Sequence, residues 1–252
     1  MIDRQILLDH CASLLNVEAH QDYCPNGLQV AGLKEVKHIV TGVTACRALI
    51  EKAIDLDADT LLVHHGYFWS GENPCLVDMK RERIALLLEH NINLLAYHLP
   101  LDTAPELGNN AQLAKQLNIR IDGSIATGKG PDLILTGQLP APLAAEALND
   151  VITKALGRTP LHITGSDQPI QRIAWCTGAG QDYLALAADA GMDAFITGEA
   201  SERTTHVARE RGIHFFAAGH HATEQFGVQV LGEHLKKQFN LQHTFVDIDN
   251  PV

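Results

Sequence analysis

Thiol pairs are missing from this chain. Its five cysteines, Cys11, Cys24, Cys46, Cys75 and Cys176, are odd in number and scattered, and no two form a Cys-x-x-Cys pair. That excludes a disulfide frame and a thiolate zinc site, and it leads us to expect free thiols in a reducing cytoplasm. No apolar run approaches the ~18 residues of a membrane span. The N-terminus, Met1-Ile2-Asp3-Arg4, passes straight into an amphipathic pattern, so no signal peptide is expected. Basic runs are also lacking. With a formal charge of −11, nucleic acid is not the default partner, because phosphate-backbone binding needs clustered Lys and Arg. No Gly-x-Ser-x-Gly elbow and no Gly-x-x-x-x-Gly-Lys-Ser/Thr loop occurs, which sets aside those nucleophile and nucleotide-phosphate motifs. Thr41-Gly42-Val43-Thr44 can meet a phosphate at a helix start, but an ordinary cap explains it equally well.

What is present is an ordinary soluble composition, 46% hydrophobic over 252 residues, enough for one large or two small α/β domains. Apolar spacing predicts helices over 2–18, 45–57, 79–90, 108–117, 142–156, 181–190, 201–211 and 224–239. Strands are expected over 36–43, 60–63, 93–97, 119–121, 133–139, 173–176, 194–197, 213–217 and 244–248. The stretch 22–30, with Pro25 and Asn26-Gly27, reads as a simple reversal, and 123–130 as a connector. Histidine is abundant, at 14 residues. His10, His90, His206 and His234 fall inside predicted elements and His243 directly before the last strand, and all read as packed or solvated. His64 and His65 do not: they end the apolar run Leu61-Leu62-Val63, and Gly66 follows. Consecutive strand residues point to opposite faces. Both imidazoles can serve one site only if the strand ends there or the site holds two centres.

The order of elements repeats. Shifted by 134, Val36–Gly66 lies on Ile170–Ala200, with Ile39/Ile173, Ala45/Ala179, Ala53/Ala187, Asp55/Asp189 and Asp59/Asp193 identical. Shifted by 122, His98–Ile119 lies on His220–Leu241, with His98/His220 identical and Leu-Ala-Lys-Gln-Leu-Asn on Leu-Lys-Lys-Gln-Phe-Asn. An extra loop around Ser70–Met79 absorbs the change of offset. The expected fold is therefore α/β, as two similar repeats with mixed sheets over 1–124 and 125–252. A metal site is expected at the strand ends between them, the C-terminal ligands His220 and Glu224 completing the site of the first repeat. Corresponding strand ends carry His64-His65 and Gly198-Glu199, and then His98-x-x-x-Asp102 and His220-x-x-x-Glu224. Strand-end loops of α/β units share the edge where ligands bind.

Imidazole with carboxylate and no thiolate suits zinc, iron, manganese or nickel. His220 and Glu224 lie one helical turn apart if the last helix begins there. His64 and His65 can face different ions, and a carboxylate such as Glu224 can bridge them. Ions ~3.5–4 Å apart clamp and activate water for hydrolysis.

Several stretches together resemble the Nif-three-like family, also called GTP cyclohydrolase I type-two homologues. They are Asn26-Gly27-Leu28-Gln29, Thr41-Gly42-Val43-Thr44, His64-His65-Gly66-Tyr67-Phe68-Trp69, His98-Leu99-Pro100-Leu101-Asp102 with Gly108-Asn109-Asn110, Thr197-Gly198-Glu199, and Gly219-His220-His221-Ala222-Thr223-Glu224. The resemblance implies two divalent metal ions per chain, clamped as in other two-metal sites. His65, Asp102 and Glu224 would hold one, His64, His220 and Glu224 the other. His98, Glu199 and His221 would be neighbours that orient these ligands. The resemblance also implies a toroidal homohexamer, GTP ring opening by some members and a part in handling damaged nucleotides.

The first functional expectation is thus a metal-dependent hydrolase of a nucleotide or related heterocycle, attacking a ring carbon or a C–N bond, with Glu199 and His98 moving protons. The alternative is a non-catalytic metal-binding or regulatory ring. DNA processing through such a ring would need a locally basic inner surface.

Overall fold

The structure, a computed structural model, describes residues 1–128 and 130–252. In chain order, β1 (Ile2–Asp3) leads into α1 (Arg4–Leu14), whose first turn is capped by Asp3 accepting the Gln5 N–H at 2.7 Å. Then come β2 (Gly27–Val30), β3 (Glu35–Val36), β4 (His38–Thr44), α2 (Arg47–Asp55) and β5 (Thr60–His65). They are followed by α3 (Asp78–Glu89), β6 (Asn93–Ala96), α4 (Leu99–Thr103), α5 (Asn109–Gln116), β7 (Arg120–Ile125) and β8 (Ile134–Leu143). The rest comprises α6 (Ala145–Leu156), β9 (Leu161–Ile163), β10 (Ile170–Trp175), α7 (Leu184–Asp189), β11 (Ala194–Thr197), α8 (Glu202–Arg211), β12 (His214–Ala217), α9 (His220–Phe239) and β13 (Gln242–Phe245). No helix among the described residues is long and apolar enough to cross a membrane.

The chain divides into two compact units, Met1–Leu107 with Gly227–Asp249, and Gly108–Phe226 with Asn250–Val252. In the first, five strands are ordered β13-β4-β5-β6-β2, parallel except for the antiparallel edge strand β2. Its inner strands are buried on both faces, as continuous apolar runs of parallel sheets are. Leu61 and Val63 pack with Leu49, Ile50 and Leu87, while Leu62 packs with Leu7, Leu231 and Leu235. Each such side chain contributes roughly 1.5–3 kcal/mol by burial. In the second unit, six strands are ordered β7-β8-β10-β11-β12-β9, with β10, β11 and β12 parallel and the other pairs antiparallel. Ile173, Trp175 and Ile196 fill one face and Ala174, Phe195 and Phe215 the other.

The duplication is visible in hydrogen bonds. The Asp59 carboxylate accepts the N–H groups of Lys37 and His38 at 2.7 and 3.0 Å; Asp193, 134 residues on, accepts those of Gln171 and Arg172 at 2.9 and 2.7 Å. Thr60 pairs with Ile39 as Ala194 pairs with Ile173. The helix ends match too: Asp57 and Gly191 have φ of 52° and 70°, and Asn118 and Asn240 have φ of 54° and 53°.

The compact units are not the same divisions of the chain as the two sequence repeats. Leu113, Leu117 and Ile119 of the first repeat pack in the second unit's core, and β7 joins that unit's sheet. Their counterparts Leu235, Phe239 and Leu241 pack in the first unit, where β13 pairs with β4. Each repeat lends its last helix and strand to the other unit. The unit boundary accordingly falls inside α9, between Phe226 and Gly227.

Other differences are local. The stretch 22–30 contains a strand, β2, antiparallel to β6. β7 runs to Ile125, where a connector was expected; Lys129 of that connector lies outside the described residues. α1 stops at Leu14, short of residue 18, because Asn16 turns left-handed at φ 48°. α9 starts at His220, so His220 and Glu224 share one helix face. His64 and His65 both remain within β5.

Candidate metal centre

In the first unit, polar side chains gather at the carboxyl ends of β5 and β6, where parallel sheets bind ligands. Alternation along β5 puts His64 on the Leu62 face and His65 on the Val63 face. His64 is fully buried. Its Nδ1 lies 2.9 Å from the Tyr97 carbonyl, which only accepts, so Nδ1 carries a proton and the ring is held with Nε2 on the other side. That Nε2 lies 3.5 Å from Oδ1 of Asp102, itself buried in the first turn of α4. The His65 Nδ1 sits 3.2 Å from Thr44 Oγ1. Ring nitrogens of His64, His65 and His98 come within 4.8 Å of one another, the spacing of atoms around an ion.

His98, just after β6, is held from the 22–30 stretch. Asp22 Oδ1 accepts its Nδ1–H at 2.7 Å, Asp22 Oδ2 accepts the Leu99 N–H at 2.9 Å, and Asn26 Oδ1 accepts the His98 N–H at 2.7 Å. Burial opposes charge on Asp22. His98, Asn26 and the Tyr23 N–H outweigh it and pull the carboxyl down to about 2. Gln29 braces the neighbouring turn: its Oε1 accepts the Tyr67 N–H at 2.7 Å and fills the space a Cβ at Gly66 would need.

In the second unit the corresponding strand ends bring together Glu199, His220 and Glu224. Glu199 Oε1 accepts the His220 Nδ1–H at 2.6 Å, and Glu224 Oε2 lies 3.1 Å from His220 Nε2. Burial works against a charge on this imidazole, but Glu224 and Glu199 overcome it and raise its pKa to about 9. The Glu224 carboxylate nests over Gly178, which has φ +67°; a Cβ there would stand 2.1 Å from Glu224 Oε1. Thr223 Oγ1 accepts the Gly178 N–H at 3.1 Å and locks that loop to the start of α9. His221 donates its backbone N–H to Val252 O at 3.0 Å.

The expected residues thus form two sets. His64, His65, His98 and Asp102 cluster within the first unit, and Glu199, His220 and Glu224 within the second. The donors are imidazoles and carboxylates, and the far nitrogens of His64, His98 and His220 are each committed to an acceptor, as in metal-binding histidines. The first set, whose His64, His65 and His98 ring nitrogens lie close enough to meet at one point, could hold a divalent ion of the zinc, iron, manganese or nickel kind; in the second, His220 Nε2 and Glu224 are the available donors, while Glu199 sits on the opposite, Nδ1 side of the ring and orients it. Sequence reasoning missed Asp22 and Gly178. Asp22 stands four residues before Asn26, a spacing that carries no signal until β6 is seen to end beside it. Gly178 could have been found through the repeat, since it aligns with Thr44, which supports His65.

The pattern of the Duf34/NIF3 (NGG1p interacting factor 3) family matches residues 2–251. A Pseudomonas aeruginosa protein named GTP cyclohydrolase 1 type 2 homolog is 52% identical over 246 residues, 98% of this chain and 97% of that one. A Vibrio cholerae protein of the same name is 55% identical over 240 residues, covering 94% and 95%. A solved structure titled protein ybgI, of unknown function, superposes over the whole of both chains with a TM-score of 0.95 at 50% identity.

Proposed function

The chain belongs to the Duf34/NIF3 family, and on that premise we propose that it is a di-metal hydrolase acting on a nucleotide or a related heterocycle. What supports this most is the preset protonation of its imidazoles. His64, His98 and His220 each commit Nδ1–H to an acceptor, which turns the Nε2 of His64 toward Asp102 and that of His220 toward Glu224 within their own sets. In this reading His65, Asp102 and Glu224 would hold one ion and His64, His220 and Glu224 the other. Ions held there would supply Lewis acidity and a water nucleophile near neutral pH. The remaining residues move and hold protons. His98 accepts one at Nε2, and Asp22, fixed as a carboxylate on Nδ1, stabilises the imidazolium that results. Glu199 holds His220 in its ligating orientation and exchanges protons with solvent at its half-exposed edge. GTP-type ring opening, action on damaged nucleotides in a DNA damage response, a cytoplasmic location and assembly as a toroidal homohexamer belong to the same proposal, carried by the family resemblance.

The test is to strip the protein with a chelator, reload it with zinc, manganese, ferrous iron or nickel, and follow GTP and oxidised nucleotides by chromatography. Turnover should require metal, and His98→Ala should lose roughly 100-fold in kcat while keeping its metal, the scale of a general base. Full metal loading without turnover on any of these would favour the alternative, a non-catalytic metal-binding or regulatory scaffold.

A further inference from the structure

The first unit carries a segment with no counterpart in the second. Residues 66–77 link β5 to α3, whereas residues 198–201 suffice between β11 and α8. The fold therefore does not need the longer link. This strap holds aromatic rings at the surface beside the imidazole cluster. Trp69 stands edge-on to His98, with centroids 4.9 Å apart at 86°, and 6.0 Å from His65. Tyr23 is 62% exposed, and its ring lies 6.5 Å from that of His98.

Phe68 adopts φ +65°, a left-handed conformation that strains a bulky residue of this kind, and such strained residues cluster at active sites, ligand clamps and switches. The strap is pinned in place. The Ser70 N–H donates to Tyr23 O at 2.6 Å, the Trp69 N–H to Glu72 Oε2 at 3.1 Å, and Lys80 pairs with Glu72 at 3.1 Å while lying over the Phe68 ring. A chain that merely had to cover apolar surface would bury these rings and relax the backbone.

We propose that Tyr23 and Trp69 form a stacking platform for a planar heteroaromatic ring, such as a purine base, presented to His98 and His65. The inference rests on reading this cluster as a site for small heterocycles, and it names the residues that select the ring. Aromatic faces suit this ligand because every fused heterocycle offers a π-face.

Fluorescence tests it directly, because the chain has two tryptophans and the other, Trp175, is fully buried with its Nε1–H bound to Asn110 O. Guanosine should quench Trp69 emission saturably in the full-length protein, and ribose should not. In equilibrium dialysis, Trp69→Ala should weaken guanosine binding at least tenfold and Tyr23→Ala severalfold, the range of base stacking on aromatic side chains. Trp69→Phe should retain binding within about threefold, which separates stacking from a folding defect. Equal guanosine binding by wild type and Trp69→Ala, or no saturable quenching at millimolar guanosine, overturns the platform. Binding through Trp69 without hydrolysis supports the platform and counts only against the hydrolase reading. Hydrolysis with kcat/KM unchanged in Trp69→Ala overturns the platform alone.

Discussion

Gly178→Ala is the sharpest probe of how the second unit holds the Glu224 carboxylate, because the chain contains its own control. Gly157, the residue after α6, has φ +70° and nothing within 4 Å of an added Cβ, whereas Gly178 has φ +67° with Glu224 Oε1 at 2.1 Å and His220 Nε2 at 3.2 Å. Both substitutions place alanine in left-handed backbone, which costs roughly 1–2 kcal/mol. For a chain of this size that lowers Tm by about 2–8 °C. Gly157→Ala should stop there. Gly178→Ala must in addition push the carboxylate away by roughly 1 Å to restore ordinary contact distance. Glu224 is 2% exposed, so it has no solvent to turn into. Disturbing a buried carboxylate adds about 1–3 kcal/mol, and metal affinity should fall at least tenfold, as for loss of a ligand's supporting contact. Scanning fluorimetry of chelator-treated protein measures the first quantity, and metal content after dialysis against limiting zinc measures the second. If the two variants match in both, the cradle does not position Glu224.

Three further outcomes follow from the same geometry. Asp59→Ala and Asp193→Ala each orphan a pair of backbone N–H groups and should both destabilise by about 1–3 kcal/mol in urea unfolding, with the buried Asp59 costing more; equal stability of either with wild type would count against the shared role. Because Asp22 titrates near 2 when folded and near 3.8 when unfolded, it contributes up to about 2 kcal/mol above pH 4. That contribution disappears as pH falls from about 4 through about 2, so the stability gap between wild type and Asp22→Asn in metal-free protein should narrow over that window; a gap constant with pH contradicts the pairing with His98. Burial pushes the Cys11 thiol up to about 12, while Cys75 is exposed. At pH 8 a thiol reagent should modify Cys75 first and Cys11 only on unfolding, as read by peptide mass spectrometry.

Much of this was legible in the residues. Apolar runs such as Leu61–Val63 and Ala194–Thr197 gave strands, and the aligned Asp59 and Asp193 marked the duplication that their paired hydrogen bonds display. His64, His65, His98 and Asp102 come together because strand ends of parallel sheets share an edge, a rule independent of the particular fold. Two things were hidden. The lending of α5–β7 and α9–β13 between units leaves no local trace, since the apolar spacing around Leu113 and Leu235 does not say which core they enter. Asn26 looked like a turn former and Asp22 carried no signal, because their partner, His98, lies more than seventy residues away, and short-range turn chemistry explains Asn26 adequately until β2 is seen to pair with β6.

Metal content of the full-length protein, prepared without chelators and read by plasma mass spectrometry for wild type and Glu224→Ala, tests the central claim most directly. The account predicts about two ions per wild-type chain, as in bridged two-metal sites, falling towards zero when the shared carboxylate is removed. Absence of stoichiometric metal in the wild type, or full loading of Glu224→Ala, would contradict it.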